Sequence, residues 1–201
     1  MIKTANQTNI ESYQSLVDRL VDISNLEAKL AILKANCHLI DKNLIAVAKN
    51  NIDRLLIQEE ISASEWLENF IKELDDNLTI WEKLNRHTVT LYQNNDYQLA
   101  LETAYKALAV AKKIWLGDRL EIAKNLSNIA LILKAQKKLK EAEPYYRDTL
   151  AMRYRLYQGK PRFDLARCFS NLGELLKVQG RTNEAEPYYR DALKMQQQLS
   201  C

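Results

Sequence analysis

Glu141-Ala142-Glu143-Pro144-Tyr145-Tyr146-Arg147-Asp148 returns unchanged as Glu184-Ala185-Glu186-Pro187-Tyr188-Tyr189-Arg190-Asp191, 43 positions later. An identical octet at that interval marks a stacked repeat, because periods of 20 to 50 residues belong to units that bury their apolar faces on one another. The match widens upstream, where Ala123, Ser127, Asn128, Leu133, Lys134 and Gln136 recur as Ala166, Ser170, Asn171, Leu176, Lys177 and Gln179. A weaker copy starts near Trp81, with Leu84, Leu91, Ala100 and Leu108 in register with Leu126, Leu133, Ala142 and Leu150. Three copies are therefore expected, at about 81–118, 119–163 and 164–201, behind an N-terminal helical segment, 1–80.

The composition agrees with an all-α chain. Four glycines and three prolines in 201 residues leave few breakers, and good helix formers abound. Charge is unevenly placed: residues 1–80 carry a balance of −5 and residues 81–201 one of +8. Such a basic array suits an anionic partner or presents a solvated face. The start, Met1 to Gln7, has no apolar run of a signal peptide. No apolar stretch reaches the ~20 residues needed to cross a bilayer, so no membrane partner is expected. Cys37, Cys168 and Cys201 are unclustered and read as reduced thiols of a cytoplasmic protein, Cys168 as a small packed residue.

Periodicity places the helices. Ile10, Tyr13, Leu16, Val17 and Leu20 share a face of a first helix, and Leu26, Leu30, Leu33 and Cys37 a stripe of a second. Asp41 is positioned to cap a third helix. Ser62-Ala63-Ser64-Glu65 is a capping-box pattern ahead of Trp66, Leu67, Phe70, Ile71 and Leu74; this helix either runs on or bends near Asp75-Asp76-Asn77. Helix pairs then follow at about 81–94 with 97–115, 119–136 with 139–157, and 164–179 with 182–199. Pro144 and Pro187 are expected in the first turn of their helices, where a missing N–H costs little.

These units resemble tetratricopeptide repeats, above all the roughly 42-residue form found in kinesin light chains and many bacterial proteins. The resemblance covers 81–201 and rests on small Ala130 and Gly173, on Ala100, Ala142 and Ala185, on aromatic Tyr146 and Tyr189, and on small Ala107 and Ala192. The first copy departs from it, with Thr88, His87 and Ala104 where small, Leu and aromatic residues belong. The resemblance implies a right-handed superhelix of antiparallel helix pairs. Upstream, Leu33-Lys34-Ala35-Asn36, Leu39-Ile40-Asp41 and Trp66-Leu67-Glu68-Asn69-Phe70 resemble a helical segment preceding repeat arrays in large cyanobacterial proteins, some ending in a caspase-like domain. Nothing protease-like is present here.

Enzymatic chemistry finds no foothold. His38 and His87 stand apart without Cys or carboxylates at ligand spacing, and His87 reads as a packed residue. No phosphate loop or nucleophile elbow occurs, so no catalytic residue, metal or cofactor is expected. The repeated tyrosines read as core between paired helices. What remains is the stripe beside the core of each first helix, which the resemblance turns toward an inner groove. That stripe comprises Lys124, Ser127, Asn128, Leu131, Lys134 and Ala135 in the second copy and Arg167, Ser170, Asn171, Glu174, Lys177 and Val178 in the third. In the first copy it comprises Glu82, Asn85, Arg86, Val89, Tyr92 and Gln93.

Amides at Asn85, Asn128 and Asn171 can both donate to and accept from an extended backbone. Arg86, Lys124, Lys134, Arg167 and Lys177 favour carboxylates. The resemblance implies that Asn128 and Asn171 hold a bound peptide. The expected function is a non-catalytic scaffold binding an acidic peptide of a protein partner in this groove. The alternatives are self-association through the C-terminal helix around Tyr188, Ala192, Met195 and Leu199, or a piece of a longer array in a multidomain signalling protein. Nucleic acid is disfavoured, since only Tyr92 offers a stacking ring.

Overall fold

The computed structural model describes residues 5–57 and 61–200. The expectations for Met1–Thr4, for Cys201 and for the side chains of Leu26 and Cys37 lie outside that description. Among the described residues the chain is all-α: nine helices and one short 3-10 turn, Cys37–Leu39. They divide between two compact units, Met1–Trp81 with Lys113–Gly117, and Glu82–Lys112 with Asp118–Cys201.

In the first unit α1 (Ala5–Val21), α2 (Leu26–Ala35) and α3 (Lys42–Ile57) precede α4 (Ile61–Gln93). The apolar periods close as expected for Tyr13, Leu16, Val17 and Leu20, all buried, but Ile10 and Leu30 are more than half exposed. Helix α1 meets α3 through a reciprocal amide pair, Gln14 Nε2 to Asn51 Oδ1 at 2.8 Å and Asn51 Nδ2 to Gln14 Oε1 at 3.0 Å. Asp41 Oδ1 accepts from the Asn43 and Leu44 amides at 2.8 and 3.1 Å, satisfying donors that the first turn of α3 leaves open. Trp115 belongs to this unit, its Nε1 donating to the Ile40 carbonyl at 2.8 Å and its ring standing edge-on to Trp81.

Helix α4 does not bend at Asp75-Asp76-Asn77; it is continuous over 33 residues. Those three are weak helix formers, not breakers, and buried Leu74 and Leu78 anchor the turn on either side. Ser62-Ala63-Ser64-Glu65 lies within the helix rather than ahead of it, so the capping-box expectation is corrected.

The second unit continues with the end of α4, then α5 (Tyr97–Ile114) up to Lys112, α6 (Leu120–Ala135), α7 (Leu139–Leu156), α8 (Phe163–Val178) and α9 (Thr182–Leu199). The turn inside each pair repeats one backbone pattern. Asn95, Lys137 and Gly180 adopt φ of 63°, 62° and 80°. The following amides of Asp96, Lys138 and Arg181 return to the carbonyls of Leu91, Leu133 and Leu176, each at 2.9 Å. This is the Schellman arrangement, which satisfies end carbonyls at the cost of one left-handed residue. Pro144 and Pro187 are each the sixth residue of their helix, not in its first turn, because α7 and α9 begin upstream of the octet. Each proline therefore withholds an interior helical hydrogen bond.

Small residues let the paired helices approach. Ala130 is fully buried, and a Cβ placed on Gly173 would lie 3.2 Å from the Tyr189 ring. Tyr146 is buried as core. The polar members of the octet join successive pairs. Tyr105 and Tyr145 hydroxyls lie 3.2 Å apart, Arg147 Nη1 donates to the Tyr188 hydroxyl at 3.0 Å, and Arg181 Nη1 meets Glu143 Oε2 at 2.7 Å. Cys168 is buried, and Arg153 Nη1 donates to its sulfur at 3.3 Å and to the Asp164 carbonyl at 3.2 Å.

Candidate functional site

Helices α6 and α8 are covered on most of their circumference. On α6 the buried residues are Ile122, Ala123, Asn125, Leu126, Ile129, Ala130, Ile132 and Leu133. Solvent reaches Lys124, Ser127, Asn128, Leu131, Lys134 and Ala135. On α8 it reaches Arg167, Ser170, Asn171, Glu174, Lys177 and Val178. Steps of three and four hold each set on one side of its helix. The two sides adjoin, since Lys134 Nζ lies 2.8 Å from Glu174 Oε2.

The first copy differs. Arg86, Val89, Tyr92 and Gln93 are exposed on α4, but Asn85 is only 6% exposed and Thr88 is buried beside it. Asn85 is thus a packed residue, and the expected three-step amide ladder has two solvent-reached members. His87, expected to be packed, is exposed. Its neighbour Thr88 takes the buried place, returning its hydroxyl to the Leu84 carbonyl at 2.8 Å.

Among the described residues Arg86, Lys124, Arg167 and Lys177 are exposed with no carboxylate at ion-pair distance. Lys134 is committed to Glu174, which the sequence pattern placed in the same stripe without revealing the pair. Asn128 is half-buried, and its Nδ2 is covered yet has no hydrogen-bond partner. The amide can therefore rotate toward a ligand without breaking an internal bond, whereas Asn125 Nδ2 is held by the Glu121 carbonyl at 2.9 Å. The Tyr146 hydroxyl is likewise unpartnered. Burial, then the nearby Glu174 charge, pushes this phenol well above its ordinary value, so it stays a neutral donor.

Sequence reasoning missed one further basic region. Lys137, Lys138, Lys140 and Arg181 line, together with Glu141 and Glu143, a shallow cavity of about 560 Å³ at the turn between α6 and α7; the clustered lysines were its only signal. The C-terminal face proposed for self-association is largely internal. Ala192 and Met195 are buried in a cluster with Leu165, Ala166 and Phe169, against which Tyr188 packs, while Leu193 on the same helix is exposed. Among the described residues no group of three or more His, Cys, Asp or Glu is arranged to hold a metal ion. No described helix is long and apolar enough to cross a membrane.

Paired helices, small contact residues and a repeated turn define a helical-repeat protein, and the chain belongs to the tetratricopeptide repeat family, whose model matches residues 78–155 and 121–198. Repeats of this family generally mediate protein–protein interaction as non-catalytic scaffolds. No curated protein matches the chain in sequence. Among solved structures it is similar to BtubC (BKLC) from P. vanneervenii, at a TM-score of 0.57 and 14% identity over 98% of this chain and 93% of that one. A Podosopora anserina structure described as a kinesin light chain with nearly identical TPR-like repeats gives a TM-score of 0.49 and 11% identity, covering 94% of this chain and 96% of that one. The similarity to BtubC at this identity is one of fold.

Proposed function

We propose that this chain is a cytoplasmic interaction scaffold that binds an extended, acidic peptide of a protein partner along the first helices of its repeats. Asn128 and Asn171 would meet the peptide backbone, with Ser127 and Ser170 beside them. Arg86, Lys124, Arg167 and Lys177 would take its carboxylates, and Lys134 would join them on release from Glu174. Asn85 keeps a structural place in this scheme. The observation that carries the reading is the covered, partnerless amide of Asn128 among unpaired cations. A ligand carbonyl would give that donor a bond which the protein interior does not supply.

The test uses a fluorescein-labelled decapeptide rich in Asp and Glu and the full chain. Asn128→Ala combined with Asn171→Ala should weaken binding about tenfold or more, at ~1.4 kcal/mol per factor of ten, while helicity and melting stay unchanged. Equal affinity in the double variant sinks the proposal.

A further inference from the structure

The N-terminal unit contains a cavity of about 370 Å³ whose walls come from α2, α4 and the Lys113–Gly117 segment. Its lining is mainly apolar, with Trp66, Phe70 and Leu74 following one another at four-residue steps on one face of α4 and Leu33, Ile40 and Ile114 coming from other segments. The Trp66 and Phe70 rings stack with centroids 5.3 Å apart and planes within 5° of parallel, giving the cavity an aromatic wall. Leu30 and Leu116, 54% and 41% exposed, stand at its mouth.

Two lysines line this space. Lys113 is exposed and already paired with Glu73 at 2.9 Å. Lys29 is different: only 6% of its surface is exposed, and its Nζ lies 3.6 Å from the centroid of the Trp66 ring. Among the described residues no carboxylate reaches it, so the aromatic face is its one stabilising partner there. A ring quadrupole attracts a cation but compensates only part of what burial takes away. Burial accordingly draws the Lys29 ammonium below its ordinary value.

We propose that this cavity binds a small amphipathic monocarboxylate, its apolar body against the Trp66–Phe70 wall and its carboxylate on Lys29 Nζ. The single unpaired positive charge selects a monoanion, since a second negative charge would stand uncompensated near Glu73. At about 30 Å³ per water-sized group the space takes roughly a dozen heavy atoms, which suits an acid of about eight carbons. Low local polarity strengthens the pairing relative to a surface lysine. None of the residues lining it belongs to the proposed peptide face.

Calorimetric titration of the full chain with octanoate and with octan-1-ol tests this. Octanoate should bind saturably and at least tenfold more tightly than the alcohol. Lys29→Met, which keeps an apolar stem, should erase that preference while alcohol affinity stays within about twofold. Lys29→Arg should retain most of it. Leu30→Trp, at the exposed mouth, should block octanoate with Lys29 intact, so the outcome stands even if the Met variant fails to fold. Equal affinity for acid and alcohol in the wild type, a preference that survives Lys29→Met, or octanoate binding undisturbed by Leu30→Trp each overturns the proposal.

Discussion

Lys134 Nζ and Glu174 Oε2, 2.8 Å apart, tie the first helices of two successive repeats across the face proposed to meet a peptide. The lysine side chain is 24% and the glutamate 56% exposed, and pairs in such settings contribute about 0–1 kcal/mol. A carboxylate arriving from a partner can therefore displace Glu174 at little cost. Glu174→Gln should raise the affinity of an acidic decapeptide about three- to tenfold at low salt by freeing Lys134 and removing a repulsive charge. Melting should move little. Fluorescence anisotropy across a salt series checks this, and the gain should shrink as salt rises; no gain at low salt means the peptide lies elsewhere.

Glu143 ties the same two repeats on their second helices and makes stability pH-dependent. Burial pushes its pKa up, but hydrogen bonds from Arg147, Arg181 and Gln179 outweigh that and hold the carboxyl below its ordinary 4.5. A folded value below the unfolded one adds stability that is complete above 4.5 and disappears as pH falls through the folded value. Glu143→Gln should thus cost roughly 1–3 kcal/mol at pH 7 and almost nothing near pH 2. Urea unfolding of both proteins at the two pH values measures the difference; a cost that persists in acid contradicts the assignment.

Lys137 holds φ at 62° in a turn where Gly180 serves the equivalent place in the next repeat. A side chain in that region costs about 1–2 kcal/mol, of which glycine's greater freedom in the unfolded chain returns part. Lys137→Gly should therefore stabilise by about 0.5–1 kcal/mol, a rise of roughly 1–4 °C in Tm for a chain of this size. The converse change, Gly180→Lys, should lower it, and thermal melts followed by circular dichroism report both.

Gly173 faces Tyr189, whose Cε1 lies 3.2 Å from where a Cβ would stand. Gly173→Ala gains up to ~1 kcal/mol of helix propensity, and half-buried Tyr189 can give by a few tenths of an ångström, so the change should be nearly neutral. Gly173→Leu must displace the ring and should cost roughly 1–3 kcal/mol. A leucine variant that melts like the parent rules out close approach of α8 and α9 at this point.

Periodicity made the helix pairs legible because it is local. An octet returning after 43 residues needs no knowledge of what it touches, and the 3.6-residue period alone sorts Lys124, Ser127, Asn128 and Lys134 away from Ile122, Leu126, Ile129 and Leu133. Two of the three turns carry breakers in the sequence, Asn94-Asn95-Asp96 and Gly180, whereas the one at Lys137 carries none. Element ends were less so: α7 starts at Leu139, placing Pro144 deeper in the helix than its own preference suggests.

What covers each face was decided elsewhere in the chain. Asn85 and His87 sit two residues apart on α4, yet Asn85 is buried and His87 exposed, the reverse of what the repeat register suggested. Lys134 finds Glu174 40 positions away and Trp115 donates to Ile40 across 75; Lys29 rests on Trp66. Sequence by itself determined the class of fold and the residues eligible to meet a ligand. Only the tertiary structure decided which were already engaged, because burial and charge pairing depend on atoms that packing brings together from distant segments.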